Sequence, residues 1–145
     1  MPIVVGIPTY KRPELLRGLL LEVTKQAEGQ AISVVVADND CDPAVVRVAE
    51  EVGARTSVPI TVRPVPERGI SQARNALVTT AYKVDPEWVY LVMYDDDGLP
   101  EPGALTLPQV MAEPPVTEGA SLLHELPLDW RGNHLLLSLW ALPVG

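Results

Sequence analysis

Short apolar runs alternate with helical periodicities along the first two thirds of the chain. Ile3 to Ile7 (IVVGI) is an unalternating β-branched run closed by Pro8, which predicts a buried strand leading into a loop. Behind Pro13, Leu15, Leu16, Leu19, Leu20 and Val23 recur at helical spacing, so a helix is expected from about Pro13 to Ala27, closed by Gly29. Ile32 to Ala37 reads as a second buried strand, ending in the loop Asp38-Asn39-Asp40-Cys41-Asp42. Pro43 opens another helix with Val45, Val46, Val48, Ala49 and Val52 inside it and Gly53 past its end. Ile60 to Val65 is a third strand, and prolines at 59, 64 and 66 mark it as short or near an edge. Ser71 is the expected N-cap of a helix from Gln72 to Lys83, with Ala73, Ala76, Leu77 and Ala81 as its buried stripe. Trp88 to Met93 is the fourth strand.

Unalternating strands separated by helices predict an α/β fold, a mostly parallel sheet with helices on both faces. Ligands in such sheets lie outside the carboxyl ends of the strands. Three loops meet that criterion: Pro8 to Arg12, Asp38 to Asp42, and Asp95 to Gly98. After Pro102 the pattern weakens. A short helix from about Gly103 to Ala112 is expected, interrupted by Pro108, and the chain past Pro114-Pro115 shows neither period. The domain expectation is therefore 1–112 as a ligand-binding α/β unit and 113–145 as a tail of uncertain structure.

Composition narrows the partners. A length of 145 residues suits one modest domain with a real core, and 47% hydrophobic residues exclude a disordered chain. The formal charge of −8 argues against nucleic acid as a partner. One cysteine, Cys41, excludes an internal disulfide framework and agrees with a reducing, cytoplasmic location. No charged leader precedes the first apolar run. No apolar run reaches the roughly 18–20 residues needed to span a bilayer, Leu135 to Val144 included, which leaves only peripheral membrane contact open.

The candidate chemistry centres on Asp95, Asp96 and Asp97, which follow the buried fourth strand directly. Three adjacent acids repel one another, and a solvated Asp-Gly turn is the bland explanation. A hard divalent cation, Mg²⁺ or Mn²⁺, relieves the repulsion, and residues two apart in extended chain place Asp95 and Asp97 on one face. Asp38 ends the second strand, where it can cap the following helix or accept a hydrogen bond from a base or ribose. The segment Glu67 to Leu77 (ERGISQARNAL) gathers Arg68, Gly69, a helix start and Arg74, a reasonable anion site. Pro8, Thr9 and Tyr10 leave the first strand at the same sheet edge, with Tyr10 able to flank a flat base. The phosphate-loop and dinucleotide fingerprints are both missing. His124 and His134 have no second ligand at metal spacing, and Cys41 has no basic neighbour.

In order, IVVGIPTYKRPELLRGLL, VVVADND, ERGISQARNAL and LVMYDDDGLPEPGAL resemble the amino-terminal half of family 2 glycosyltransferases, and the succinoglycan-type bacterial enzymes most. The resemblance covers about Pro2 to Leu107. It implies a GT-A fold, apparently truncated, and inverting transfer from a nucleotide-diphospho-sugar, as in polysaccharide biosynthesis. By the same resemblance the Pro8-Thr9-Tyr10 backbone and Asp38 hold the base with Arg74 nearby. Asp95 approaches the ribose or metal, Asp96 belongs to the same donor-binding acid cluster, and Asp97, with Asp95, coordinates Mg²⁺ or Mn²⁺ in a DXD arrangement. The acceptor, a sugar or a lipid-linked one, is not legible. The catalytic carboxylate is not placed either, Glu113, Glu118, Glu125 and Asp129 being available. A non-catalytic donor-binding module stands as the alternative. A nucleotidyl- or phosphoryl-transfer enzyme is a third reading, disfavoured by the missing phosphate loop.

Overall fold

The computed structural model describes residues 3–88, 90–96, 98–100, 102–105, 135–138 and 142–143. Strands β1 (Ile3–Thr9), β2 (Ile32–Asp38), β3 (Ile60–Pro64) and β4 (Tyr90–Met93) alternate with helices α1 (Pro13–Ala27), α2 (Pro43–Gly53) and α3 (Ile70–Val84). Two-residue β5 (Gly98–Leu99) follows, then β6 (Leu135–Ser138) and β7 (Leu142–Pro143). The main sheet runs β3-β2-β1-β4-β6 and all its pairings are parallel. β5 and β7 pair antiparallel in a separate ladder.

The unalternating strands are explained by burial on both sides. Ile3, Val5 and Ile7 of β1, with Val34 and Val36 of β2, face one core. That core receives Leu16, Leu19, Leu20 and Val23 from α1 and Val45, Val48 and Val52 from α2. Val4, Val35 and Ala37 point the other way, into a second core with Ala73, Leu77, Val78 and Ala81 of α3 and Trp88. Each fully buried Leu or Val contributes roughly 1.5–3 kcal/mol. Gly6 shows why one position in β1 carries no side chain: a Cβ there would sit 3.2 Å from Leu77 Cδ1 and 3.3 Å from Leu91 Cδ1. That close approach seats α3 on the sheet.

Several boundaries differ from expectation. β1 continues through Pro8 to Thr9, because its pairing with β2 extends to Thr9↔Asp38 and a proline at the end of a ladder forfeits little. α3 begins at Ile70 with Gly69 as its N-cap, and no side-chain cap is formed. Gly69 has φ 134°, a conformation open to glycine and strained for other residues, so the chain turns into the helix before reaching Ser71. Trp88, expected to open the fourth strand, is wholly buried but precedes β4. Residues 102–105 form a turn where a helix start was expected. The remainder of that expected helix, with His124, His134, Glu113, Glu118, Glu125 and Asp129, lies outside the described residues. The Leu135–Ser138 backbone joins the main sheet beside β4, a placement its periodicity did not announce.

The crossovers through α1 and α2 lay down β1, β2 and β3 in parallel, with both helices on one face. α3 then returns on the opposite face to place β4 on the other side of β1. The strand order therefore reverses between β1 and β4, and a crevice opens where their carboxyl ends diverge.

Candidate functional site

The cleft at this reversal has a volume of about 700 Å³. Pro8 to Arg12 form one wall, Arg68, Gly69, Ile70 and Ala73 the opposite wall, and Asn39, Asp95 and Asp96 the floor and near end. Parallel pairing between β1 and β4 sets Gly6 against Met93, and the Tyr94 N–H still donates to the Gly6 carbonyl at 3.0 Å. Continuing that register by three places brings Asp96 to Thr9.

Adjacent acids in this segment do different things. Asp96 is 8% exposed, and its carboxylate accepts from Thr9 Oγ1 at 2.9 Å and from the Tyr10 N–H at 3.4 Å. The Arg12 guanidinium stands at 3.5 Å from the other carboxylate oxygen. These contacts tie the exits of β1 and β4 together. The side chain of Asp95 is 65% exposed, with Arg74 Nη2 at 4.0 Å as a loose partner. An ion pair so long and so wet contributes little to stability and leaves the carboxylate available. Arg74 Nε is itself buried without a hydrogen-bond partner among the described residues. Asp95 and Asp96 thus differ in exposure, and Asp97, expected to share a face with Asp95, lies outside the described residues.

Cations line the remaining walls. Lys11 Nζ lies 5.2 Å and Arg68 Cζ 5.5 Å from the centroid of the Tyr10 ring, and that ring is partly open to solvent. Lys11 takes a positive φ of 56°, which turns the chain sharply as it leaves β1. The amino end of α3, with N–H groups that no side chain caps, borders the same space through Gly69, Ile70 and Ala73. Anionic groups are favoured there, and a carboxylate at the rim suits a cation that would bridge them.

Asp38 is not brought into this cleft. It is 2% exposed, and its two oxygens accept the N–H groups of Asp40 at 3.1 Å and Asp42 at 3.0 Å. Burial pushes its carboxyl above the ordinary value, and those backbone bonds pull in the opposite direction. It borders a separate hollow with Cys41, Asp42, Pro43, Val46, Arg47, Glu50 and Pro64. Capping of α2 itself falls to Asp42, which accepts from the Ala44 N–H at 2.9 Å. Pro8, Thr9, Tyr10, Asp95 and Asp96 do share the cleft, and Arg74 borders it through Asp95. Arg12 and Asn39 lie in two of the expected strand-exit loops, but neither was given a role of its own from sequence. Their signal was proximity to a strand exit, which places residues near the crevice without fixing where each points.

Among the described residues no group of three or more His, Cys, Asp or Glu side chains is gathered as a metal cage. No described helix is long and apolar enough to cross a membrane.

The sequence model described as "Glycosyl transferase family 2" matches residues 4–112. Among solved structures, the Staphylococcus aureus protein TarS matches with 19% identity and a TM-score of 0.54, over 68% of this chain and 17% of TarS. The Pyrobaculum calidifontis mannosyltransferase PcManGT, solved in complex with GDP-Man and Mn²⁺, matches with 21% identity and a TM-score of 0.55, over 79% of this chain and 33% of that enzyme. The chain thus spans a third or less of these two proteins, and the likeness is one of fold: the GT-A arrangement of a parallel sheet with helices on both faces. No curated protein sequence matches it.

Proposed function

This chain belongs to glycosyl transferase family 2, and we propose that its β1–β4 cleft binds a nucleotide-diphospho-sugar with a divalent cation and presents the sugar for inverting transfer. The observation that carries this reading is the pairing, at the strand-order reversal, of an exposed acid, Asp95, with a ring of cations. Neither feature alone asks for a diphosphate, but together they suit a ligand that is anionic and metal-bridged. The structure of PcManGT with GDP-Man and Mn²⁺ supports the same class of ligand for this chain.

The residues present fit a hard cation, since Asp95 offers a solvent-facing carboxylate at the rim and no soft donor lines the cleft among the described residues. Asp95, with Asp97 beside it in sequence, would hold Mg²⁺ or Mn²⁺. When bound, that ion offsets charge on the diphosphate leaving group. The rest falls to the chain's own side chains. Lys11 and Arg68 face the space where phosphate charge grows as the sugar–phosphate bond breaks. The Tyr10 ring offers a face to the base, and Asp96 fixes the β1 exit so that Tyr10 and Arg12 are held in place. An acceptor hydroxyl attacking opposite the leaving group completes a single displacement with inversion.

Calorimetric titration with UDP and GDP tests donor binding. Affinity is expected to rise at least tenfold with Mn²⁺ and to lose that gain in Asp95→Ala and Asp97→Ala. Equal affinity with and without the ion removes the metal from the proposal. Release of nucleoside diphosphate from a panel of donors tests transfer, and binding without release would make this chain a donor-binding module.

A further inference from the structure

Asn39 stands where the two walls of the cleft meet, and its side chain is spent on one of them. Its Nδ2 donates to the Val65 carbonyl at 2.9 Å and to the Glu67 carbonyl at 2.9 Å. Its Oδ1 accepts from the Gly69 N–H at 3.0 Å. The Asn39 backbone N–H meanwhile donates to the Thr9 carbonyl at 3.0 Å, so one residue grips both the β1 exit and the segment 65–69. At 8% exposure the group has little water to compete for these bonds.

The chemistry explains why the residue is asparagine. Two outward carbonyls need two donors, and the Gly69 N–H needs an acceptor, on one short planar group. Aspartate has the shape but no donor at neutral pH, and its charge would face two carbonyl oxygens. Serine or alanine cannot span the three partners. The gripped segment is neither helix nor strand; its Val65 N–H donates to the Asp38 carbonyl at 2.8 Å, and it turns through Gly69 at φ 134°. It carries Arg68, whose guanidinium reaches across the cleft to within 5.5 Å of the Tyr10 ring centroid.

We propose that Asn39 is a positioning residue: its carboxamide latches the 65–69 segment to the end of β2 and thereby sets Arg68 and the amino end of α3 against the diphosphate of the donor. The anion-binding part rests on the donor reading above, whereas the latch itself rests only on the three hydrogen bonds. Val65 stays anchored without the latch, its side chain in the second core and its N–H on the Asp38 carbonyl at 2.8 Å, so the latch governs residues 66–69: without it Arg68 samples positions away from the cleft and affinity falls without loss of the core.

Asn39→Asp is isosteric and breaks both donor contacts, and Asn39→Ala removes all three. Both are expected to speed tryptic cleavage after Arg68 about tenfold relative to cleavage after Lys11 in the same digest. Both should also weaken UDP or GDP binding about tenfold in the presence of Mn²⁺. In donor-release assays the change should fall on KM, with kcat within about threefold. Since the latch acts through Arg68, Asn39→Asp added to Arg68→Ala should weaken binding no more than about twofold beyond Arg68→Ala alone. Unchanged cleavage after Arg68 in both variants overturns the latch. Faster cleavage with unchanged affinity, or additive losses in the double variant, overturns the positioning role. Should the wild-type chain bind neither nucleotide, the donor reading fails with the positioning role, and the digest alone decides the latch.

Discussion

Two strand exits in this fold both end in acids, yet they differ in what those acids are given to do. At the end of β2, Asp38 is folded back on its own loop, each oxygen claimed by a backbone N–H, and it borders a hollow outside the main cleft. At the end of β4, Asp96 is claimed in a similar way by Thr9, Tyr10 and Arg12, but its neighbour Asp95 is left in the open. A carboxylate at a strand's carboxyl end is therefore not a site by position alone. What sets Asp95 apart from Asp38 and Asp96 is its exposure, with Arg74 at 4.0 Å as a loose partner. The β1–β4 exit can afford one such acid because the residue beside it carries the structural contacts.

The comparison breaks most visibly at Asp95. Asp95→Ala should reduce Mn²⁺-supported affinity for UDP or GDP by about 30–100-fold, roughly 2–3 kcal/mol. Melting should barely move, since an exposed acid with a loose partner carries little stability. A large drop in melting temperature with binding intact would reverse the roles assigned to the two neighbours. Asp96→Ala should do the opposite: it strands the Thr9 hydroxyl and the Tyr10 N–H and should cost about 1–3 kcal/mol by denaturant unfolding, with affinity falling only as the β1 exit loosens. Asp38→Ala removes the acceptor of two loop N–H groups and should cost about 1–2 kcal/mol, with affinity within threefold of wild type. Lost affinity at intact stability would instead bring Asp38 into the donor site.

The smallest effect concerns pH. Burial raises the Asp38 carboxyl, so the native state holds that proton more tightly than the unfolded chain does. Charged Asp38 therefore costs stability at neutral pH, and the cost is relieved as pH falls through the raised native pKa, being gone below the unfolded value. Asp38→Asn cannot titrate. Relative to it, the wild type should gain stability on acidification through that window, measured as the difference between their urea midpoints. A constant difference would mean that the N–H bonds of the loop cancel the effect of burial, and a loss of stability on acidification that they outweigh it.

Much of this was legible in the chain. α1 was bounded correctly at both ends by Pro13 and the leucine spacing, and the β-branched runs announced strands buried on both faces. The start of α3 was missed because Ser71 is a good cap by composition, while Gly69 reaches a backbone conformation that lets the helix begin without one. The valines of α2 announced the helix, and packing leaves Val46 exposed while Val45, Val48 and Val52 are buried. At the site, the cluster of Asp95 and Asp96 was visible, but their division of labour was not. It depends on the β1–β4 register, which brings Thr9 to Asp96 from 87 residues away. Asn39 was given no role of its own for the same reason, since its partners lie 26 to 30 residues downstream.

Amide chemical-shift mapping on ¹⁵N-labelled protein, titrated with UDP or GDP and Mg²⁺, puts the contrast between the two exits to the most direct test. Shifts are predicted at Tyr10, Arg12, Gly69 and Asp95, with Cys41 to Arg47 left nearly unmoved. Shifts confined to the Cys41 to Arg47 segment, or none anywhere at millimolar nucleotide, would contradict the assignment of the β1–β4 cleft as the donor site.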